Sequence, residues 1–450
     1  MWLVTLVKAF QRPDVVIVNE VNWTPTARIF VATIVAIIAK AMPMGAATLV
    51  ALVISGLTGL TPLSPKQGEV GMLSGFANGT IWLIAIAMFL SRAVIKTGLG
   101  KRIALYFVAR FGKKMMGVAY GMALADVVIG PGIPSASARG GGIMYPIMQS
   151  IADAYDSKPG PTARRAGAFL AIAVSQIDTI VCTMFLTAMA GNPLIAELAK
   201  GQGVEITWMT WFLGAIVPGV ISLIVLPYFV YLIYPPELKD TPKMAEMARE
   251  ELRNKGPMSK AEWILALDFI LLLFLWTVGD LVFHIPATVS AFIGLVILLL
   301  TNIMSWKNIV AETTAWDTMF WFAVLVMMAN SLNKYGAIAW ISSHISSSVG
   351  AFSWPVAFTI LVLVYFYTRY FFAAAISVGT PPIIAALGLG YTSTLSMSLT
   401  QYAGGPGPAL YGSGYNSTGQ WWGVSFVTSI ISLIIWFGAG GLWMKLLGWW

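Results

Sequence analysis

Charge is scarce in this chain. Only 10% of its 450 residues are Asp, Glu, Lys or Arg, while 58% are apolar; a soluble chain carries roughly a quarter charged residues. So little polar surface cannot cover a water-soluble globule of this size, and most of the chain belongs in lipid. Cysteine is nearly absent as well. Cys182 is the single one and sits within an apolar run, which excludes a disulfide framework and a thiolate metal site. The two histidines, His284 and His344, stand far apart beside apolar segments, and no H-E-x-x-H is present. Metal-dependent hydrolysis inside the membrane is therefore not expected, nor any other enzyme activity or cofactor. The formal charge of +8 does not point to nucleic acid, because Lys and Arg lie in loops between apolar runs, where positive-inside topology accounts for them. The first residues, Met1 to Phe10, contain WLVTLV. This patch is too short to span and lacks a leading basic region and a cleavage site, so it is not expected to be a signal peptide.

What the chain does have is apolar runs near the roughly 20 residues a spanning helix needs. They fall at 29–41, 44–60, 80–95, 167–190, 207–234, 262–280, 287–304, 317–333 and 422–447. Three further apolar regions, 115–153, 352–395 and 396–415, are interrupted by Gly, Pro and Ser. A charged stretch, ELKDTPKMAEMAREELRNK, divides the chain between Pro235 and Lys260 and predicts a short solvated helix.

The two halves resemble each other. Thr80 to Gly112 lies without gaps over Thr318 to Gly350, Lys96-Thr97-Gly98 falling on Lys334-Tyr335-Gly336 at a constant shift of 238 positions (318 − 80). A fixed offset of this kind indicates an internal duplication. Lys96, Lys101, Arg102, Arg110, Lys113 and Lys114 follow the first copy, whereas Lys334 alone follows the second. By the positive-inside rule the copies then run in opposite directions, the architecture of many secondary transporters. The expected organisation is an N-terminal segment at 1–28, a first repeat at 29–234, a cytoplasmic linker at 235–260 and a second repeat at 261–450. Segments 96–114, 154–166 and 235–260 are expected to be cytoplasmic, with 335–350 and the C-terminus outside.

The interruptions carry the chemistry. Residues 115–130 are apolar, then comes GPGIPSASARGGG and a second apolar arm to Ser150. Each arm is nearer half a span, so the pattern predicts a re-entrant hairpin whose non-helical tip is tolerated at membrane depth only inside protein or beside a wet cavity. Pro131 and Pro134 stop the entering helix. Ser135 or Ser137 caps the departing one, whose free N–H groups and positive dipole end suit a carboxylate. Thr368 to Pro382 offers a second polar tip, and Ala190-Gly191-Asn192-Pro193 pairs with Ala403-Gly404-Gly405-Pro406-Gly407-Pro408 as helix breaks. The fold class expected is all-α integral membrane, with two inverted-topology repeats, each holding a re-entrant helical hairpin and a broken transmembrane helix.

The tip PSASARGGGIMYPI, the AGNPL break, IKTGLGKRIA and QYAGGPGPALYGSGY resemble the divalent-anion/sodium symporter family, and within it the branch of bacterial citrate, tartrate and 2-oxoglutarate/malate exchangers. The likeness runs over nearly the whole chain from Pro25. It implies an inner-membrane carrier of small di- or tricarboxylate anions that works by alternating access as a homodimer. It also implies substrate contacts at a Ser-Asn-Thr signature on each tip. Here the signatures fall on Ser135, Ala136 and Ser137, and on Ser377, Val378 and Gly379 with Thr380 adjacent; the breaks at Asn192-Pro193 and Gly404-Gly405-Pro406 complete the site. Ala136 and Val378 depart from the signature and cannot donate as an amide would, so backbone donors or Arg139 must do more. The family's additional N-terminal span is absent or reduced to the patch at Met1 to Phe10.

Arg139 beside the first tip is costly in a membrane unless paired or bound to an anion. It is expected to contact substrate or replace a coupling cation, supplying the fixed positive charge that a sodium ion supplies in coupled relatives. Asp126 and Arg369 are expected to pair structurally, Asp178 is a possible coupling site, and Asp268 and Asp280 are structural. Anion exchange without obligatory sodium is the expected activity; sodium-coupled symport and an anion channel stand as alternatives.

Overall fold

The computed structural model describes residues 24–337, 340, 353–368, 380–402 and 404–450. The apolar runs become helices. In chain order these are α1 (Thr24–Ile38), α2 (Met44–Leu57), α3 (Gly79–Thr97), α4 (Leu99–Phe111), α5 (Met115–Ile129), α6 (Tyr145–Ala154), α7 (Gly167–Met184), α8 (Gly191–Lys200) and α9 (Trp208–Ile233). They continue as α10 (Pro242–Lys255), α11 (Lys260–Phe283), α12 (Ala287–Leu300), α13 (Trp306–Val310), α14 (Thr313–Lys334), α15 (Trp354–Thr368), α16 (Pro382–Leu395), α17 (Gly407–Gly412) and α18 (Thr418–Leu446). Among the described residues there is no strand, and seven helices are long and apolar enough to cross a membrane. Both α11 and α18 contain a π-helical turn, at Leu275–Gly279 and Ile434–Ala439.

Contacts gather the described residues into two units. The first unit holds α1, α2, the start of α3 and α14. Its core is Ile29, Ala51, Leu52, Val324, Met327 and Met328, and the 3₁₀ turn Ser74–Ala77 packs so closely on α14 that a Cβ at Gly75 would overlap the Ala323 carbonyl.

The second unit runs from Ile86 to Glu312, resumes in α15 and takes in the described residues from Thr380 onward. At its centre is α7, every residue of which is buried. Helices α5, α6, α9 and α16 pack around it. Trp211 donates to the Thr183 carbonyl at 2.9 Å and Tyr391 to the Trp211 carbonyl at 2.7 Å, so buried aromatic polar groups on α9 and α16 are both satisfied.

The charged linker is a helix, α10, tied to one end of this unit. Met115 N–H donates to Lys239 O, Thr241 N–H to Lys113 O, Glu237 N–H to Arg164 O and Leu238 N–H to Arg165 O. Glu262, capping α11 with Ser259, receives Arg102 at 2.7 Å, and Lys101 pairs with Glu251. The three basic segments assigned to one side of the membrane by charge thus meet at one end of one unit.

Two structural details bear on the duplication. Gly98, following α3, and Gly336, following α14, are 238 positions apart and both left-handed, with φ of 74° and 82°. Likewise α7 and α16 each end in a 3₁₀ turn, Leu186–Ala188 and Ser396–Ser398, before a break and a shorter helix, α8 or α17. The first hairpin differs from expectation in length. Its entering arm is helical over Met115–Gly132, 18 residues and long enough by itself to cross, because Pro131 fits a final 3₁₀ turn, Gly130–Gly132, instead of stopping the helix before it.

Candidate functional site

The tip of the first hairpin is Ile133-Pro134-Ser135, which is not helical; the departing arm opens as a π-helix over Ser137–Met144 and continues as α6. Ser135 caps this arm: its Oγ accepts from Ala138 N–H at 3.2 Å, and its carbonyl accepts from Arg139 N–H at 3.0 Å. The N–H groups of Ala136 and Ser137 come before that first ladder bond and have no acceptor among the described residues. They are the orphan donors of a helix start, and Ser137 is exposed.

The break near the C-terminus closes on this tip. Ser137 Oγ donates to Gly405 O at 3.0 Å. Gly404 and Gly405 have φ of 137° and 60°, which a side chain would strain. Pro406 packs on Gly140, where any Cβ would overlap the proline ring, and Gly405 approaches Ala136 and Asp178. Ala136, Cys182 and Met397 form a small buried apolar cluster with Met189 against it.

Behind the tip lies Arg139, fully buried. Its Nε donates to Asp126 Oδ1 at 2.9 Å, Nη1 to the carbonyls of Ile133 and Ala188 at 2.7 and 2.6 Å, and Nη2 to Asp178 Oδ1 at 2.9 Å and Cys182 Sγ at 2.8 Å. A guanidinium has five N–H donors, and all five are used. Arg139 therefore has no donor left for a substrate carboxylate, and its charge is already met by two carboxylates. The expectation of a free fixed charge on Arg139 gives way to an internal ion cluster joining α5, α7, the tip and the first break. Asp126 is in a structural pair, as expected, and its partner is Arg139. Asp178 pairs with it too, and its Oδ2 lies 3.6 Å from the Cys182 thiol.

Asn192 performs the same service at the first break. Its amide donates at 2.7 Å to the Cys182 carbonyl, which the end of α7 leaves without a helical partner, and at 3.0 Å to the Phe185 carbonyl, which also accepts from Ala188 N–H, while its oxygen accepts from Thr394 on α16 at 2.8 Å. Pro193 is buried in the first turn of α8. Asn192→Ala is expected to orphan the Cys182 carbonyl and cost about 1–3 kcal/mol, read as a lower unfolding temperature in detergent. An unchanged midpoint would show that the bonds contribute nothing.

Thr380 is buried, and its hydroxyl has no partner among the described residues. Ser377, Val378, Gly379, Arg369 and His344 lie outside the described residues. Asp268 is buried with neither oxygen hydrogen-bonded among the described residues. Sequence reasoning missed the bridge from Thr394 to Asn192 and the part of Cys182. The signal available for Cys182 was its spacing of four from Asp178, one helical turn on the same face.

The sequence model described as the sodium:sulfate symporter transmembrane region matches residues 2–450. Among curated relatives, the "Putative malate transporter YflS" of Bacillus subtilis is 46% identical over 439 residues, covering 94% of this chain and 90% of that one. "Dicarboxylate transporter 1, chloroplastic" of Spinacia oleracea is 43% identical, covering 94% and 76%. The "L-tartrate/succinate antiporter" of Escherichia coli is 33% identical, covering 83% and 80%. A crystal structure of the Alcanivorax borkumensis YdaH transporter aligns with a TM-score of 0.50 at 13% identity, over 94% of this chain and 98% of that one, a likeness of fold alone.

Proposed function

Because the chain belongs to the family of the sodium:sulfate symporter transmembrane region, we propose that it is a secondary transporter of small dicarboxylates, working as an anion exchanger in a cell membrane without obligatory sodium. The relatives named as malate, dicarboxylate and tartrate/succinate carriers support the substrate class. The observation that carries the sodium-independent reading is the placement of Arg139. The carbonyls of Ile133 and Ala188, released by the tip and by the first break, together with two carboxylates, are bonded to its guanidinium. A small cation would need such oxygen donors, and here a tethered cation holds them permanently.

In this reading one substrate carboxylate sits at the helix start, on the N–H groups of Ala136 and Ser137, with Ser137 Oγ beside it. From the second half, Thr380 is the described residue that the reading takes as a contact. The break at Gly404, Gly405 and Pro406 shapes the wall, while Asn192 and Pro193 hold the opposite break in place. Exchange follows from the tip. Empty, it presents orphan N–H groups and a positive helix end that lose their water on crossing; a bound dianion satisfies both. The loaded carrier therefore reorients more readily than the empty one. No cofactor takes part, and a homodimer in the bilayer is the expected assembly.

Counterflow of labelled malate into malate-loaded proteoliposomes tests the reading. The rate is expected to be the same with sodium replaced by choline, and uptake into empty vesicles is expected to be at least about tenfold slower. Sodium-dependent net uptake would replace exchange by symport.

A further inference from the structure

Among the described residues one guanidinium faces two carboxylates in the cluster behind the tip, and that count leaves a formal negative charge on side chains with almost no exposed surface. Arg139 is completely buried, and Asp126 and Asp178 are 1% and 0% exposed. Asp126 Oδ2 is buried with no hydrogen-bond partner among the described residues, although its sister oxygen is engaged. An ionised carboxylate oxygen without a donor in such a place is costly.

Among the described residues, no other charge on the surrounding elements is shown bonded to the cluster. On α4, Arg102 turns to Glu262, Lys101 to Glu251 and Arg110 lies over the Phe111 ring. On α6, Asp153 accepts from Gln149. Arg164 and Arg165, before α7, bond Pro235 O and Asp156 O. On α16 Tyr391 donates to Trp211 O, and on α17 Tyr411 meets Thr418. Lys445 of α18 lies over the Trp450 ring. Asp268 of α11, whose neighbour Phe269 packs on Gly132, makes no hydrogen bond to the cluster.

The negative charge lies directly behind the anion site. Asp178 Oδ2 would be 3.8 Å from a Cβ on Gly405, whose carbonyl receives Ser137. We propose that the Asp126–Arg139–Asp178 cluster takes up one proton from solvent when a dianion binds, so that each dicarboxylate crosses together with a proton on Asp126 Oδ2 and both leave on the other side. A neutral cluster does not repel the arriving dianion, and a negative one does. The proposal rests on the reading of the tip as the anion site. Exchange of one dicarboxylate for another then moves no net proton, while affinity depends on pH. The proton-loaded cluster is the binding form, so the KM for malate falls as pH falls from about 8.5 to about 6.5, by up to about tenfold, across a range in which malate stays a dianion.

The test is calorimetric titration of the purified protein with malate, in buffers that differ in ionisation enthalpy, beside the KM for malate counterflow in proteoliposomes at each pH. The wild type is expected to take up a proton count approaching one per malate. Asp126→Asn, whose amide oxygen still accepts from Arg139, is expected to bind malate with no proton uptake and a KM that does not vary with pH. If that variant does not fold, the wild-type titration decides alone. Malate binding by the wild type with no proton uptake overturns the proposal, as does a pH-independent KM. Absence of any malate binding sinks the substrate reading instead.

Discussion

Arg139→Ala is expected to abolish malate counterflow and to destabilise the protein by about 3–5 kcal/mol. The loss follows from what the side chain satisfies. Removing it strands Asp126, Asp178 and the carbonyls of Ile133 and Ala188 in a site with no exposure. Arg139→Lys is expected to fail nearly as badly, because an ammonium has three donors and no planar fork to reach partners on α5, α7, the tip and the break at once. Replacing all three charges, as in Asp126→Leu with Arg139→Met and Asp178→Leu, removes the stranded groups and is expected to restore much of the unfolding temperature without restoring transport. Thermal unfolding in detergent and counterflow in proteoliposomes measure the two effects separately. Full counterflow by Arg139→Ala would mean that the cluster does not position the tip.

Gly140→Ala carries the second large effect. A Cβ at this position overlaps Pro406, so the hairpin and the C-terminal break cannot keep their contact. Overpacking of this kind costs about 1–3 kcal/mol, and because the strain falls on the wall of the proposed anion site, counterflow is expected to drop at least tenfold. Gly142→Ala is the control. Its Cβ would meet nothing within 4 Å, and in a helical position Ala is favoured over Gly by up to about 1 kcal/mol, so activity is retained and stability holds or rises. Pro406→Gly removes the colliding atoms and is expected to rescue Gly140→Ala in part. Equal activity of Gly140→Ala and Gly142→Ala would show that the contact is dispensable.

The spans and breaks were legible because each rests on a local rule. Twenty apolar residues specify a spanning helix wherever they occur, and α3, α7, α9, α11, α14 and α18 stand where hydropathy places them. The Gly-Pro-Gly-Ile-Pro-Ser tip was readable for the same reason, since Pro and Ser act on the residues beside them, and Ser135 caps the departing arm. The length of the entering arm was not, because whether Pro131 ends a helix or joins its last turn depends on what packs against Gly130 and Gly132, namely Val181 and Phe269.

By itself the sequence determined the membrane class, the helix order, the duplication and the two helix breaks within the described residues, all carried by composition and by neighbours along the chain. Only the tertiary structure decided what Arg139 does. Its partners stand 6, 13, 39, 43 and 49 positions away, and no pattern in the chain says which of several intramembrane acids and which freed carbonyls will converge on one guanidinium. That choice is made by the packing of α5 on α7 and by the fold of the break after α7, because five donors fixed in one plane are satisfied only when every acceptor arrives together.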